Sequence, residues 1–223
     1  MDNNDNKNKM YNCLNVTYTK YSKGLTLYRS INNTKISNER YNPCVRAIFL
    51  SVKEVACSYA ELHGKSGEKK LHKYTLIQDT NVVNINWNNI SLILKFLKNT
   101  DTLSLRNSVT ITSRDAINIV KIYFTYKTKN KALMINPTEV YTVNSIKYQV
   151  CDWFSNIMAY LGFSGYLIDY GFNYLNSKQA LYPPEINFIF PRIQLKYNLK
   201  PVKCNKNDTT LGPKFEPYYK IIS

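Results

Sequence analysis

The sequence predicts a mixed α+β fold in one domain. Strand-like apolar runs lie near both ends of the chain, and the middle carries apolar residues at helical spacing. No linker-like stretch divides the chain, and its 223 residues are enough to bury one sizeable core. We therefore expect a folded domain over residues 15–202, a disordered polar tail at residues 1–14 and an irregular tail at residues 203–223.

The N-terminal half predicts four strands and one helix. The helix is expected over residues 51–62, because its apolar side chains recur at helical spacing. Ser51 is followed three residues later by Glu54, which matches a capping box and predicts Ser51 as the N-cap. The strands are indicated by continuous apolar runs or by alternation, and they are expected at residues 25–29, 46–51, 71–78 and 81–85.

The C-terminal half predicts three helices followed by three strands. Thr112 or Ser113 is a candidate N-cap for the second of these helices, and Gly162 is expected to end the third. Pro191 is expected to stop the middle strand. The helices are expected at residues 89–99, 112–127 and 138–161, and the strands at residues 163–170, 185–190 and 193–197.

The chain is strongly basic, with 30 Lys and Arg against 15 Asp and Glu and a formal net charge of +15. Such an excess favours anionic partners such as nucleic acid, an anionic membrane surface or a nucleotide cofactor. The chain is also rich in Lys, Asn, Ile and Tyr, whose codons are A/T-rich. An A/T-biased genome, as in some viruses, gives the same excess without selection for nucleic-acid binding.

The five cysteines are scattered and form no C-x-x-C pair, which argues against a zinc site and against a complete disulfide framework. We therefore expect reduced thiols. The N-terminus is polar and resembles no secretory signal, and no run approaches the ~18 apolar residues of a membrane span. The sequence thus predicts an intracellular, cytoplasmic protein, in host cytoplasm or virion if the chain is viral, with no membrane partner.

Four separated stretches carry the residues of chemical interest: "LYRS" (27–30), "AIFLSVKEVACSYA" (47–60), "KYTLIQDTNVVNI" (73–85) and "LGFSGYLIDY…YPPEINFIFPRIQL" (161–195). In that order they resemble the ADP-ribosyltransferase fold, particularly its divergent viral and toxin members. That family shows a strand ending in Arg, a strand ending in Ser before a helix, and a late strand opening with Glu. The resemblance implies a split mixed sheet with flanking helices, and it places Arg29, Ser51 and Glu185 at the three motif positions.

The resemblance implies NAD as the substrate. Cleavage of the bond to nicotinamide passes through an oxocarbenium-like ribose, which a nearby carboxylate stabilises. Glu185 takes that catalytic role, while Arg29 grips NAD through its guanidinium fork and Ser51 holds the Arg or Glu side chain. Tyr59, on the helix after Ser51, is the candidate ring for nicotinamide stacking. Catalysis of this kind depends on positioning the substrate and on electrostatic stabilisation of the transition state, and it needs no metal.

Each of these residues also has a plain structural interpretation. Arg29 fits a solvated strand end, Ser51 a helix N-cap, and Glu185 the exposed start of an edge strand. Tyr59 fits the core. His72 lies in an alternating strand and, like His63, is too isolated for a metal pair, so we expect a hydrogen-bonded surface imidazole.

Two departures from the family pattern narrow the expected activity. Ser51-Val52-Lys53 replaces the usual Ser-x-Ser, and Pro183 stands where members that modify arginine carry a second Glu. The open alternatives are transfer to another protein or nucleic-acid acceptor, NAD hydrolysis, or a catalytically inactive structural or virion protein. A basic nucleic-acid-binding protein is the rival from another class. The sequence leaves the oligomeric state open.

Overall fold

The computed structural model describes residues 14–30, 47–57, 70–127, 132–135, 139–168, 185–189, 195–205 and 221–222, and all statements below concern these residues. They form an α+β fold with short helices between strands. The strands are β1 (Tyr18–Tyr21), β2 (Thr26–Ser30), β3 (Ala47–Leu50), β4 (Lys70–Leu76), β5 (Thr80–Ile85), β6 (Thr102–Ser104), β7 (Thr110–Thr112), β8 (Phe124–Lys127), β9 (Ala132–Ile135), β10 (Val140–Val143), β11 (Ile146–Gln149), β12 (Gly165–Ile168), β13 (Glu185–Ile189), β14 (Leu195–Lys203) and β15 (Ile221–Ile222). The helices are α1 (residues 53–57), α2 (Trp87–Lys98), α3 (Ser113–Tyr123) and α4 (Val150–Tyr160), with a 3-10 turn at Arg106–Ser108.

Two sheets organise the chain. The larger is a mixed six-stranded sheet in the order β15-β1-β5-β12-β13-β3, in which only β5 and β12 run parallel. The smaller is an antiparallel three-stranded sheet in the order β14-β4-β2. Three two-stranded ribbons, β6–β7, β8–β9 and β10–β11, complete the strand pairing of the described residues.

The main core lies between the helices and one face of the six-stranded sheet. Alternate strand residues point to this side, among them Val83 of β5 and Tyr166 of β12. They meet the apolar stripes of α2, α3 and α4. Phe154 of α4 is central to this packing, with its ring centroid 4.9 Å from that of Tyr123 and 5.0 Å from that of Tyr166.

A second core joins the opposite face of the six-stranded sheet to the three-stranded sheet. Leu27 of β2 and Leu76 of β4 come from the smaller sheet. Leu50, Ile186 and Phe188 come from β3 and β13 of the larger sheet. Ala47 of β3 and Ile189 of β13 face the helices instead, so both strands contribute to both cores. The sequence of β3 is accordingly a continuous apolar run.

Most expected strands are confirmed, and so is the helix expected at residues 89–99, which spans Trp87–Lys98. The expected helix over residues 138–161 is wrong in its first half. Residues 140–149 form the β10–β11 hairpin, and only Val150–Tyr160 are helical. Asn144 and Ser145 both have positive φ, 50° and 67°, which is the backbone of a tight hairpin turn. The expected helix over residues 112–127 likewise ends early, at Tyr123, and β8 follows.

The ends of the chain and the start of α1 also differ from expectation. Helical residues begin at 53, so the prediction of Ser51 as N-cap is wrong, and Ser51 belongs to a β-bridge instead. Leu14 is buried in the main core. Within the tail expected to be irregular, Ile221–Ile222 pair with β1.

The expectation of reduced thiols is wrong for three of the five cysteines. Cys57 and Cys204 form a disulfide across 147 residues, with their Cα atoms 5.7 Å apart. Cys151 is also disulfide-bonded. Scattered positions in the sequence concealed this pairing because the fold brings distant cysteines together. Within the described residues, none of the helices has the length and apolar character needed to cross a membrane.

Candidate functional site

Among the described residues, one β-bridge joins the two sheets, and it involves two of the stretches of chemical interest. The backbone N–H of Tyr28 donates to the carbonyl oxygen of Ser51 at 2.7 Å, and the N–H of Ser51 donates to the carbonyl oxygen of Tyr28 at 2.9 Å. Arg29 is the next residue along β2. We call this meeting point of β2 and β3 the junction. Beyond it the two strands belong to different sheets.

The junction also adjoins the start of β13. Ile186 of β13 pairs with Leu50 of β3, so the next residues along the two antiparallel strands are Glu185 and Ser51. On its other side, Glu185 pairs with Ile168 of β12. The backbone of Glu185 therefore lies beside the end of β3. The fold brings together the backbones of Arg29, Ser51 and Glu185, which are separated by up to 156 positions in the sequence, the difference between 185 and 29.

The side chains of Arg29 and Ser51 point to opposite faces of the joined sheets. Ser51 is paired with Tyr28 and is buried, with 7% of its surface exposed. Arg29 follows Tyr28 and shares the face of Leu27, two residues before it. The structure thus places the two residues side by side along the backbone without placing their side chains in one pocket. Tyr59 lies outside the described residues.

Arg29 lies beside a cluster of three aromatic rings. In register, Arg29 of β2 faces His72 of β4, and Tyr74 of β4 faces Tyr197 of β14. The ring centroids of His72 and Tyr197 are 5.2 Å apart, and those of Tyr74 and Tyr197 are 5.3 Å apart. The Tyr197 hydroxyl lies 2.5 Å from Nδ1 of His72. The expectation of a hydrogen-bonded imidazole at His72 is confirmed.

The local electrostatics of this cluster follow from partial burial and from Arg29. Burial, and then the Arg29 charge, hold the pKa of His72 below its usual value, so its imidazole is neutral at neutral pH. Burial raises the pKa of Tyr74, with a smaller opposing effect of the Arg29 charge. Within the described residues, Arg29 is half-buried and no carboxylate lies at ion-pair distance from it.

The three-stranded sheet is uniformly cationic. Its strands of 5, 7 and 9 residues contain no Asp or Glu. The six-stranded sheet is different, since its strands contain one Lys and one Glu. The total charge of the sequence does not reveal this segregation, and no local pattern reveals the pairing of Tyr74 with Tyr197. The Lys and Arg residues of the smaller sheet are Arg29, Lys70, Lys73, Lys196, Lys200 and Lys203.

Comparison of the chain with models of known protein families, with curated proteins and with solved structures gave no match. The chemical interpretation therefore rests on the chain's own residues. Across the described part of the chain, no group of three or more His, Cys, Asp or Glu side chains could hold a metal ion. The two features that invite a functional interpretation are the junction and the cationic, aromatic face of the smaller sheet.

Proposed function

We propose that this protein cleaves NAD at the junction, either transferring ADP-ribose to an acceptor or hydrolysing NAD, on an ADP-ribosyltransferase-like split mixed sheet. The observation that carries the proposal is that the backbones of Arg29, Ser51 and Glu185 lie next to one another at the bridge that joins the sheets in the described part of the chain. The sequence resemblance rests on the order of three separated motifs. Strand pairing adds that these motifs are neighbours in space, which their order alone does not require.

The strand arrangement around Glu185 further supports the proposal. The late strands expected to pair, β12 and β13, do so in antiparallel fashion from Gly165–Phe188 to Ile168–Glu185. Because β13 lies between β12 and β3, the backbone at its first residue has strands on both sides. Glu185 is therefore not at the free edge of a sheet. A carboxylate carried by such a strand is held by rigid backbone, which suits a catalytic position.

The proposed chemistry assigns one bond change to the site. The bond between the ribose anomeric carbon and the nicotinamide nitrogen breaks, and nicotinamide leaves with the electron pair. The Glu185 carboxylate stabilises the resulting oxocarbenium-like ribose. Water, or a nucleophilic oxygen or nitrogen of an acceptor, then bonds to that carbon and releases a proton. The choice between water and acceptor decides between hydrolysis and transfer.

Arg29 is proposed to bind the diphosphate of NAD. Its half-buried guanidinium has no carboxylate partner among the described residues, and a diphosphate offers the paired oxygens that such a fork recognises. Since Arg29 and Ser51 point to opposite faces, NAD has to pass over the end of β3 at the junction. The diphosphate then lies at Arg29 and the nicotinamide ribose at Glu185.

The test measures NAD binding by calorimetry and nicotinamide release by chromatography for the oxidised protein. Glu185→Gln is expected to lower the rate about 100- to 1,000-fold with binding retained. Arg29→Ala is expected to weaken NAD binding, and Arg29→Lys to restore only part of it because a lysine lacks the bidentate fork. Glu139→Gln is the matched control, because Glu139 is an exposed glutamate in another part of the chain.

The outcomes separate the proposal from its alternatives. NAD binding with no nicotinamide release, with or without added protein and nucleic-acid acceptors, would support the catalytically inactive alternative. Failure of the wild-type protein to bind NAD at millimolar concentration would refute the junction as an NAD site. Equal loss of activity in Glu185→Gln and Glu139→Gln would refute the role given to Glu185.

A further inference from the structure

We propose that the aromatic face of the three-stranded sheet binds single-stranded nucleic acid. We define this face by His72, Tyr74 and Tyr197, which share one side of β4 and β14. The proposal concerns a surface that the NAD chemistry does not need, and it stands or falls independently of NAD cleavage. Arg29 lies at the rim of the face and belongs to both proposals, so it is left unchanged in the test below.

Charge is the first observation that supports this surface. Lys70 and Lys203 are directly paired in register, and that pair lies beyond His72 at one end of the face. Lys196 and Lys200 are exposed on β14. The strand register places Arg29, Lys70 and Lys203 on the same side as the rings, whereas Lys73 and Lys196 point to the opposite side. The three strands contain no acidic residue. A polyanion is attracted along the length of such a sheet, and counterion release strengthens its binding.

Ring exposure is the second observation. Tyr197 is 42% exposed, an unusual state for a large aromatic side chain in a sheet that packs on a core. Its hydroxyl is fixed by Nδ1 of His72, and its ring is backed by Tyr74, which itself packs on the core between the sheets. These contacts therefore fix the orientation of the exposed Tyr197 ring. Unpaired nucleobases stack on such rings without regard to sequence.

Two simpler explanations do not account for the face. Codon bias explains exposed lysines, but it does not explain the absence of Asp and Glu from the same strands or an exposed tyrosine ring beside them. Protection of an edge strand explains lysines on β14, whose outer edge has no partner strand among the described residues. It does not explain Lys70 and Lys73 on the central strand β4, the absence of acidic residues, or the exposed ring of Tyr197.

The rings favour a single strand over a duplex. In a duplex the base faces are stacked on one another, and only the groove edges and phosphates are accessible. Tyr197 and Tyr74 can engage base faces only when the bases are unstacked, as in single-stranded DNA or RNA. The proposed ligand class is therefore a single-stranded polynucleotide bound through phosphate contacts and base stacking.

The test measures binding of a fluorescent oligothymidylate of about 20 nucleotides by anisotropy at several salt concentrations, without NAD. Tyr197→Ala is expected to weaken binding roughly 5- to 100-fold, and Tyr197→Phe, which keeps the ring, to weaken it less than about threefold. The double variant Lys70→Gln/Lys203→Gln, at the lysine pair on the ring side, is expected to lower the salt slope by about 1.4, since each phosphate contact to a single strand contributes about 0.7. The charge-matched control is Lys95→Gln/Lys98→Gln on α2, where both lysines are exposed, and it is expected to leave the slope unchanged.

Competition with unlabelled duplex DNA, heparin and anionic phospholipid vesicles identifies the ligand class. Preference for the single strand, with the loss in Tyr197→Ala but not in Tyr197→Phe, would support the proposal. Absence of binding at micromolar protein would overturn it. Equal binding of heparin or duplex DNA, or stronger binding to vesicles, with no effect of Tyr197→Ala, would also overturn it and would indicate general attraction of anions. Unchanged circular dichroism of the variants excludes unfolding as the cause.

Discussion

Removal of the Cys57–Cys204 disulfide is expected to destabilise the protein strongly. Cys57 is fully buried at the end of the described part of α1, in a small cluster with Ala56 and Leu71. Cys204 directly follows β14 and packs against that cluster. The bond therefore ties the helix that follows the junction to the far strand of the smaller sheet. The proposed perturbations are Cys57→Ala, Cys204→Ala and the double variant.

The magnitude follows from the length of chain that the bond closes. For a separation of 147 residues, the chain-entropy relation gives a loss of about 5 kcal/mol in the free energy of unfolding. Measured removals of native disulfides cost roughly 2–5 kcal/mol. The disulfide of Cys151 also restricts the unfolded chain, so the entropic gain from the Cys57–Cys204 bond is smaller than for an isolated crosslink. We expect a loss of about 3 kcal/mol.

The assay is chemical unfolding under oxidising conditions, together with mass mapping of a non-reducing digest. The digest of the wild-type protein is expected to contain one linked fragment with both Cys57 and Cys204. Either single substitution removes the whole crosslink, so both single variants and the double variant are expected to lose similar stability. The two single losses are thus strongly non-additive. Cys57→Ala and the double variant also lose packing around the buried side chain of Cys57, which adds only about 1 kcal/mol to the destabilisation.

Two results would refute this reasoning. One is a Cys204→Ala variant within about 0.5 kcal/mol of the wild type, because a half-buried thiol contributes little apart from its bond. The other is additivity of the two single losses, since independent packing effects add and a shared crosslink does not.

Two further predictions concern hydrogen-bonded side chains, one partly buried and one fully buried. The pKa of His72 is lowered from 6.5, chiefly by burial, so as the pH falls the unfolded chain binds a proton at this residue before the folded protein does. The stability that His72 contributes is therefore complete above about pH 6.5 and is lost as the pH falls through the folded-state pKa. His72→Gln should make the free energy of unfolding in urea depend less on pH between about pH 7.5 and 5. Asn89 is fully buried and joins Thr17 to Asn84 through its side-chain amide. Asn89→Ala should lower the free energy of unfolding by about 3 kcal/mol in the same assay, because the backbone groups of Thr17 and Asn84 stay buried without their hydrogen bonds. As a control, Asn88→Ala at the exposed neighbour should change it by less than about 0.5 kcal/mol. An unaltered pH profile for His72→Gln, or equal losses at the two asparagines, would contradict these predictions.

Local sequence patterns predicted the strands that are buried on both faces, because a short apolar run has few other structures available. They failed at residues 140–149, where Val140, Val143 and Ile146 fit helical spacing and a hairpin equally well. The deciding signal is the Asn144–Ser145 turn, since Asn tolerates positive φ and reverses the chain there. Tertiary packing settled the choice, as Val143 enters the main core from the hairpin.

The candidate site was predictable only as a set of residues and not as an arrangement. The strand-end positions of Arg29 and Ser51, and the strand-opening position of Glu185, are visible in the sequence. Their adjacency depends on β3 pairing with β13, more than 130 positions away, the difference between 185 and 50. No local pattern encodes such pairing. For the same reason, the partner of His72 was invisible, because Tyr197 lies 125 residues later.

The disulfide links the two proposed sites directly, in addition to the backbone. Ser51 is followed by α1, Cys57 of α1 is bonded to Cys204, and Cys204 follows the last residue of β14. Among the described residues, the backbones of β2 and β3 meet at one β-bridge. The disulfide adds a second link across this junction. Structural disulfides persist in oxidising environments, whereas cytosolic thiols are kept reduced. Because the bond depends on such an environment, NAD cleavage is expected to be greatest in the oxidised protein; the cytoplasmic location stays a prediction.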